Sequence, residues 1–172
     1  LGREVVYAEG NRALPAVVSE RLVASGRTLA VAESCTGGLV GALLTELPGA
    51  SRCFVGGAIV YANSTKESLL GVPTALLARH GAVSAEVAVA MAEGTLRACG
   101  ADLALAITGI AGPDGGTVTK PVGLVQLAVA GGRRVTTRCE NIPGPRRRVR
   151  VIAAWTGLAL VLRHLDELGA AP

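Results

Sequence analysis

Ser34 and Cys35 stand side by side in Ala32-Glu33-Ser34-Cys35-Thr36-Gly37-Gly38, a short polar turn between an apolar β-type run and an apolar helical pattern. A hydroxyl and a thiol placed between strand end and helix start meet unpaired backbone N–H groups and the positive end of the helix dipole. Such a turn suits an attacking nucleophile, an oxyanion or a bound phosphate. Ser and Thr are also good helix caps, and Gly permits tight turns, so a cap without chemistry is the plainer alternative. The segment is neither a Gly-x-Ser-x-Gly elbow nor a Walker loop, because no Gly-Lys-Ser/Thr follows.

Two more polar clusters follow apolar runs, at Tyr61-Ala62-Asn63-Ser64-Thr65-Lys66 and at Thr108–Gly116. Lys66 is one of only two lysines in an arginine-dominated chain. Burial or a neighbouring cation lowers an ammonium pKa, whereas guanidinium stays charged, so Lys66 is a candidate general base; an exposed lysine in a first helical turn is the alternative. Gly109, Gly112, Gly115 and Gly116 form a glycine-rich loop able to cradle an anion with backbone amides, with the Thr108 hydroxyl at its mouth. It matches neither Gly-x-Gly-x-x-Gly nor a P-loop. Lys120 either sits at the pocket rim or starts a strand.

These clusters need strands that end side by side. Asn11 is a cap for a first helix carrying Leu14, Val17, Val18, Leu22 and Val23 and closing at Gly26. Thr28–Ala32 reads as a buried strand, Thr36–Leu47 as a helix, and Phe54–Tyr61 as a strand in which Gly56-Gly57 marks a bulge or a close backbone approach. Asn63 caps a short helix ending near Gly71, Pro73–Arg79 makes another, and Ser84 caps a longer one ending near Cys99-Gly100. The strand Asp102–Ile107 follows. A hairpin of Val122–Ala130 and Arg133–Cys139 turns on Gly131-Gly132, and a long helix runs from about Pro145 to Leu168. This order implies a three-layer α/β/α sandwich around a mixed sheet, whose strand ends form one pocket.

The chain of 172 residues, half of them hydrophobic, suits one domain with a substantial core. No apolar run reaches the roughly 18 residues of a membrane span, and no leader pattern opens the chain. Cys35, Cys53, Cys99 and Cys139 are scattered, and His80 and His164 are the only histidines. That set offers neither a disulfide framework nor metal-ligand spacing, so reduced thiols in a cytoplasmic protein without metal or cofactor are expected. Between Arg133 and Arg150 seven arginines meet one acid, Glu140; the segment carries +6 and the rest of the chain −2 of the +4 total. With four aromatics in all, Tyr7, Phe54, Tyr61 and Trp155, base stacking has little support, and a small anion suits the patch better than a nucleic-acid strand. A solvated arginine-rich helix end is the alternative.

The segments Ala32–Gly38, Val60-Tyr-Ala-Asn-Ser-Thr-Lys66, Gly81-Ala-Val-Ser84, Thr108-Gly-Ile-Ala-Gly-Pro-Asp-Gly-Gly116 and Lys120-Pro-Val-Gly123 resemble, in order and spacing, the CinA C-terminal domain family. The resemblance covers residues 11 to 165, leaving Leu1–Gly10 as a connecting segment before a domain of residues 11–172. It departs at Gly144-Pro145-Arg146, where many members have Gly-Asp-Arg, and at Thr108, where several have Ser.

The resemblance implies an anticodon-binding-domain-like mixed sheet, a homodimer, and a nicotinamide-nucleotide amidohydrolase. Such an enzyme converts nicotinamide mononucleotide and water to nicotinate mononucleotide and ammonia. On this view Ser34 is the nucleophile, Lys66 its base, and Tyr61 relays or orients the proton, while amides near Thr36 and Gly37 meet the oxyanion. Thr108, the Gly109–Gly116 loop and Arg146 or Arg150 would then hold ribose and phosphate, with Gly38 and Asn63 also among the substrate-binding residues. Two rivals stand beside it: a non-catalytic competence- or DNA-damage-associated interaction module with a vestigial nucleotide pocket, and a phosphohydrolase using the same anion site.

Overall fold

Residues 12–169 are described in a computed structural model; the connecting segment Leu1–Gly10 and the expected cap Asn11 lie outside them. Five strands form one mixed sheet: β1 (Leu29–Glu33), β2 (Phe54–Ile59), β3 (Leu103–Gly109), β4 (Leu124–Gly131) and β5 (Arg134–Asn141). Their spatial order is β2-β1-β3-β4-β5. β1 runs parallel to both β2 and β3, and β4 and β5 are antiparallel to their neighbours. All five residues of β1 are buried, because helices cover the central strand on both faces.

The first face is covered by α1 (Leu14–Ala24), α2 (Leu39–Thr45) and α6 (Arg146–Gly169). Their apolar residues Val18, Leu22, Val40, Leu44, Val149, Ala153 and Leu158 pack on Leu29, Val31, Leu105 and Ile107. On the opposite face lie α3 (Asn63–Leu70), α4 (Thr74–His80) and α5 (Ala85–Cys99), whose Leu70, Leu77, Val87, Ala88 and Met91 pack with Ala32, Ala106 and Ala128. The alternation of large and small residues along β1 and β3 thus assigns one face to each set of helices. No helix among the described residues is long and apolar enough to cross a membrane.

Several boundaries differ from the sequence expectation, each for a local reason. The N-cap of α1 is Ala13, with Pro15 in the first turn, and that of α3 is Ala62, so Asn63 is the first helical residue. The hairpin turns on Gly132-Arg133, one residue later than expected. Both residues have positive φ, 56° and 63°, as a type I′ turn requires, while Gly131 still pairs with Arg134. β3 continues through Thr108 and Gly109, which pair with Gln126 and Val125. α2 begins only at Leu39, after the whole polar turn.

Ser84 does cap α5, its Oγ accepting from the Val87 N–H at 3.3 Å. The bulge in β2 is also present: register with β1 shifts between Leu29 and Ala30, and a Cβ on Gly57 would stand 2.1 Å from the Val31 carbonyl oxygen. A side chain there would push the edge strand away and with it the segment Val60–Tyr61.

Candidate active site

Parallel pairing puts the carboxyl ends of β1, β2 and β3 on one edge of the sheet, and the Ser34–Gly38 turn, the Val60–Tyr61 segment and Thr108–Gly109 meet there. Ser34 is fixed at the junction, its N–H donating to the Ile107 carbonyl at 2.9 Å. The Val60 N–H donates to the Glu33 carbonyl at 2.8 Å, tying the end of β2 to the same point. The resulting pocket is lined by Ser34, Cys35, Tyr61, Lys66, Ala82, Val83, Thr108, Gly109, Ala111 and Arg146.

Lys66 comes from the middle of α3 and is 1% exposed. Its Nζ lies 2.8 Å from the Val60 carbonyl, 3.1 Å from the Tyr61 carbonyl and 3.3 Å from Ser34 Oγ. Burial lowers its pKa from the ordinary lysine value. In the neutral amine the two N–H bonds match the two carbonyls and the lone pair is left for the serine hydroxyl. The hydroxyl and the amine are thus within reach of a proton transfer.

Cys35 has the opposite character. Burial pushes its thiol up to about 11, and the neighbouring Glu33 charge adds to the effect, so the helix start does not activate it. A Cβ on Gly109 would stand 3.1 Å from Cys35 Sγ and 2.9 Å from the Leu124 carbonyl oxygen. Glycine at 109 is therefore needed to let β3 close against the Ser34–Gly38 turn.

The Glu33 carboxylate does what Ser34 and Thr36 were candidates to do, and caps α2. Its Oε2 accepts from the N–H groups of Gly38 at 3.0 Å and Val40 at 3.1 Å, and its Oε1 from that of Gly41 at 2.9 Å. Gly37 N–H is spent on the Ser34 carbonyl at 3.1 Å, while that of Thr36 makes no hydrogen bond among the described residues. The signal for Glu33 was an acidic residue at the last position of a buried strand, directly before the turn.

Tyr61 meets the amine through its carbonyl; its hydroxyl accepts from Arg146 Nη2 at 2.9 Å, at the pocket mouth. Arg146 Nη1 donates to the Gly112 carbonyl at 3.0 Å, holding the glycine-rich loop beside it. Thr108 Oγ1 donates to the Ala82 carbonyl at 2.9 Å, and Lys120 Nζ donates to the carbonyls of His80 and Val83. These bonds fix the Ala82–Val83 wall, which sequence reasoning had not assigned to the site. Lys120 thus neither starts a strand nor lines the pocket.

Of the residues singled out from sequence, Ser34, Tyr61, Lys66, Thr108, Gly109 and Arg146 come together in the lining. Thr36, Gly37, Gly38, Asn63, Gly112, Gly115, Gly116 and Arg150 are not part of it. Thr36 is fully buried with its hydroxyl unpartnered, Asn63 is exposed at the start of α3, and a Cβ on Gly116 would stand 2.8 Å from the Val122 N atom. Among the described residues no three His, Cys, Asp or Glu side chains gather in a way that could hold a metal ion.

Comparison with known proteins agrees with this architecture. The model of the CinA C-terminal domain matches residues 11–165. A CinA-like protein of Anaeromyxobacter dehalogenans is 53% identical over 158 residues, 92% of this chain and 39% of that protein. A putative competence-damage inducible protein of Desulforudis audaxviator is 48% identical over 164 residues, 95% of this chain and 40% of its own length. The chain thus spans about 40% of the length of these curated relatives. Among solved structures, competence/damage inducible protein CihA from Agrobacterium tumefaciens superposes with a TM-score of 0.83 at 36% identity, covering 92% of this chain and 99% of that one. A CinA superfamily protein from Klebsiella pneumoniae gives 0.86 at 32% identity, covering 90% and 96%. With nearly the whole chain matched in sequence and in fold, the protein belongs to the CinA C-terminal domain family.

Proposed function

We propose that this domain is a metal-independent serine amidohydrolase acting on nicotinamide mononucleotide, releasing nicotinate mononucleotide and ammonia. The observation that carries the reading is the buried Lys66 amine 3.3 Å from Ser34 Oγ, with two main-chain carbonyls taking its N–H bonds. Ser34 Oγ attacks the carboxamide carbon as its proton passes to Lys66 Nζ. The negative charge then develops on the former carbonyl oxygen, and the N–H groups of Cys35 and Thr36 are the turn amides directly after Ser34 with no acceptor among the described residues. Lys66 returns the proton to the departing nitrogen, ammonia leaves, and an acyl-serine ester remains. Water attacks that ester with Lys66 again as base, and Ser34 is released with the carboxylate product.

Charge supports a nucleotide amide. The pocket measures about 180 Å³, less than the roughly 300–1,000 Å³ of a site that encloses a whole ligand, so it would take the carboxamide end and leave the phosphate at the mouth. Arg146 at the mouth offers a cation to a phosphate while the pyridinium ring end, which carries the carboxamide, reaches Ser34.

The interaction-module reading has the relatives' names on its side, since these speak of competence and damage and name no reaction. It leaves Lys66 unexplained: a buried ammonium with no carboxylate partner among the described residues burdens the fold and brings nothing to a silent pocket. The deciding experiment is ammonia release from nicotinamide mononucleotide by the wild type and by Ser34→Ala. Release by the first and not by the second is expected; no release by the wild type, or equal release by both, refutes the proposal, and release of phosphate instead favours the phosphohydrolase.

A further inference from the structure

Arg150 sits one turn beyond Arg146 on α6 and was grouped with it as a phosphate ligand, yet its guanidinium faces the protein. Nε donates to the Cys35 carbonyl at 3.1 Å and Nη2 to the Thr36 carbonyl at 2.7 Å. The Nε/Nη2 edge of the guanidinium, one of the two that could grip a phosphate in bidentate fashion, is therefore already engaged. α6 is held rigidly at this point, because Val149 and Ala153 on either side of Arg150 are fully buried against the sheet. Nη2 also lies 3.4 Å from the place a Cβ on Gly37 would occupy, an ordinary contact distance, and it is the φ of +60° that calls for glycine at 37.

A trans peptide is planar, with its N–H opposite its C=O. Drawing the Cys35 carbonyl toward Arg150 turns the Thr36 N–H the other way, and this amide, like that of Cys35, has no acceptor among the described residues. Drawing the Thr36 carbonyl to the same guanidinium fixes the next plane, whose N–H bonds back to the Ser34 carbonyl at 3.1 Å. One side chain thus sets two successive peptide planes directly after the nucleophile. The charge of the guanidinium also polarises both peptides, which makes their N–H groups better donors.

We propose that Arg150 is a positioning residue for the nucleophile turn, orienting the Thr36 N–H toward the negative charge that forms in the reaction, and that it does not bind the substrate's phosphate. The proposal deepens the amidohydrolase reading and rests on it for the identity of the reaction, although not for the presence of a reactive Ser34. Lysine cannot reproduce the role in full, because a single ammonium point replaces a planar fork matched to two carbonyls.

The test compares wild type, Arg150→Met, Arg150→Lys and Arg147→Met, the last removing the same charge from an exposed neighbour on the same helix. Two readouts are taken: kcat and KM for nicotinamide mononucleotide, and the rate at which Ser34 is labelled by a small uncharged fluorophosphonate, which carries no nucleotide phosphate. Losing one oxyanion donor outright lowers kcat about 100- to 1,000-fold, so a misoriented donor is expected to cost about 10- to 100-fold. Arg150→Met should show that loss in kcat and in labelling rate with KM within about threefold of wild type. Arg150→Lys should recover part of both, and Arg147→Met should change neither.

A rise in KM at unchanged kcat, or wild-type labelling of Arg150→Met, overturns the proposal. Should Arg150→Met fail to fold, Arg150→Lys decides by the same criteria. A wild type that is labelled at Ser34 but releases no ammonia refutes only the amidohydrolase reading, and the labelling rates then judge Arg150 alone. A wild type that takes no label overturns both.

Discussion

Tyr61 Oη accepts a 2.9 Å hydrogen bond from Arg146 Nη2, so the two residues that close the pocket mouth hold each other across it. The contribution of Tyr61 to the amine is its main-chain carbonyl, which any residue supplies. Tyr61→Phe is therefore expected to keep kcat within about threefold, whereas Arg146→Ala removes the cation meant for the phosphate and should raise KM about ten- to a hundredfold. Steady-state kinetics with nicotinamide mononucleotide check both. Nicotinamide riboside, lacking the phosphate, should be a poor substrate that scarcely distinguishes Arg146→Ala from wild type; a kcat loss of a hundredfold in Tyr61→Phe would restore its hydroxyl to the proton path.

Cys35 lines the pocket beside Ser34, and its thiol is held at about 11 by burial. It stays protonated at neutral pH and does not compete as nucleophile. Cys35→Ala should keep at least about half of the wild-type kcat, while Ser34→Ala loses activity altogether. Iodoacetamide should alkylate Cys35 only slowly at pH 7. Rapid alkylation with loss of activity, prevented by substrate, would contradict this.

Lys66 titrates below its ordinary value of 10.5, and only its neutral form can take the serine proton. The kcat/KM profile should therefore rise with pH through an apparent pKa below 10.5 and level off above it. The same shift governs stability. Between the folded and unfolded pKa values the unfolded chain binds more protons, so stability rises with pH across that window and the penalty is constant below it. Lys66→Met removes the penalty, and at pH 7 it should be inactive yet melt about 2–4 °C higher, the equivalent of about 1 kcal/mol for a domain of this size. A melting temperature lowered by several degrees would mean that the three hydrogen bonds of Lys66 outweigh its desolvation.

Glu33→Ala strips three N–H groups at the start of α2 of their acceptor and leaves them in a largely closed site. Hydrogen bonds to a charged group contribute about 1.5–3 kcal/mol each at most and share one carboxylate here. A loss of about 2–3 kcal/mol in urea unfolding is expected, with Glu33→Gln intermediate because one oxygen acceptor remains. An unchanged midpoint for Glu33→Ala would show that solvent replaces the carboxylate without cost.

Most of the fold was legible because its signals are local. Apolar patterning marked the strands and the longer helices, cap and stop residues marked the short ones, and Gly71, Gly81 and Gly100 ended α3, α4 and α5 where expected. Boundaries slipped where a tertiary partner outcompeted a local signal: Glu33 took over the capping of α2, and pairing with β4 drew Thr108 and Gly109 into β3. Ser34 and Lys66 were legible as residue types at strand ends, but their 3.3 Å approach depends on where α3 packs. Arg146 and Arg150 looked equivalent in sequence, being four residues apart, and only the position of the nucleophile turn beneath α6 separates their partners.

The capping of α2 by Glu33 has a bearing on how a ligand enters. A helix start next to a strand end commonly welcomes phosphate, but this one arrives with its counter-ion built into the chain, so a lasting negative charge finds that berth taken. Arg146, in contrast, brings a cation into the pocket lining beside Tyr61. On the amidohydrolase reading, the nucleotide would therefore enter by its pyridinium ring, with its anionic tail kept at the door beside Arg146.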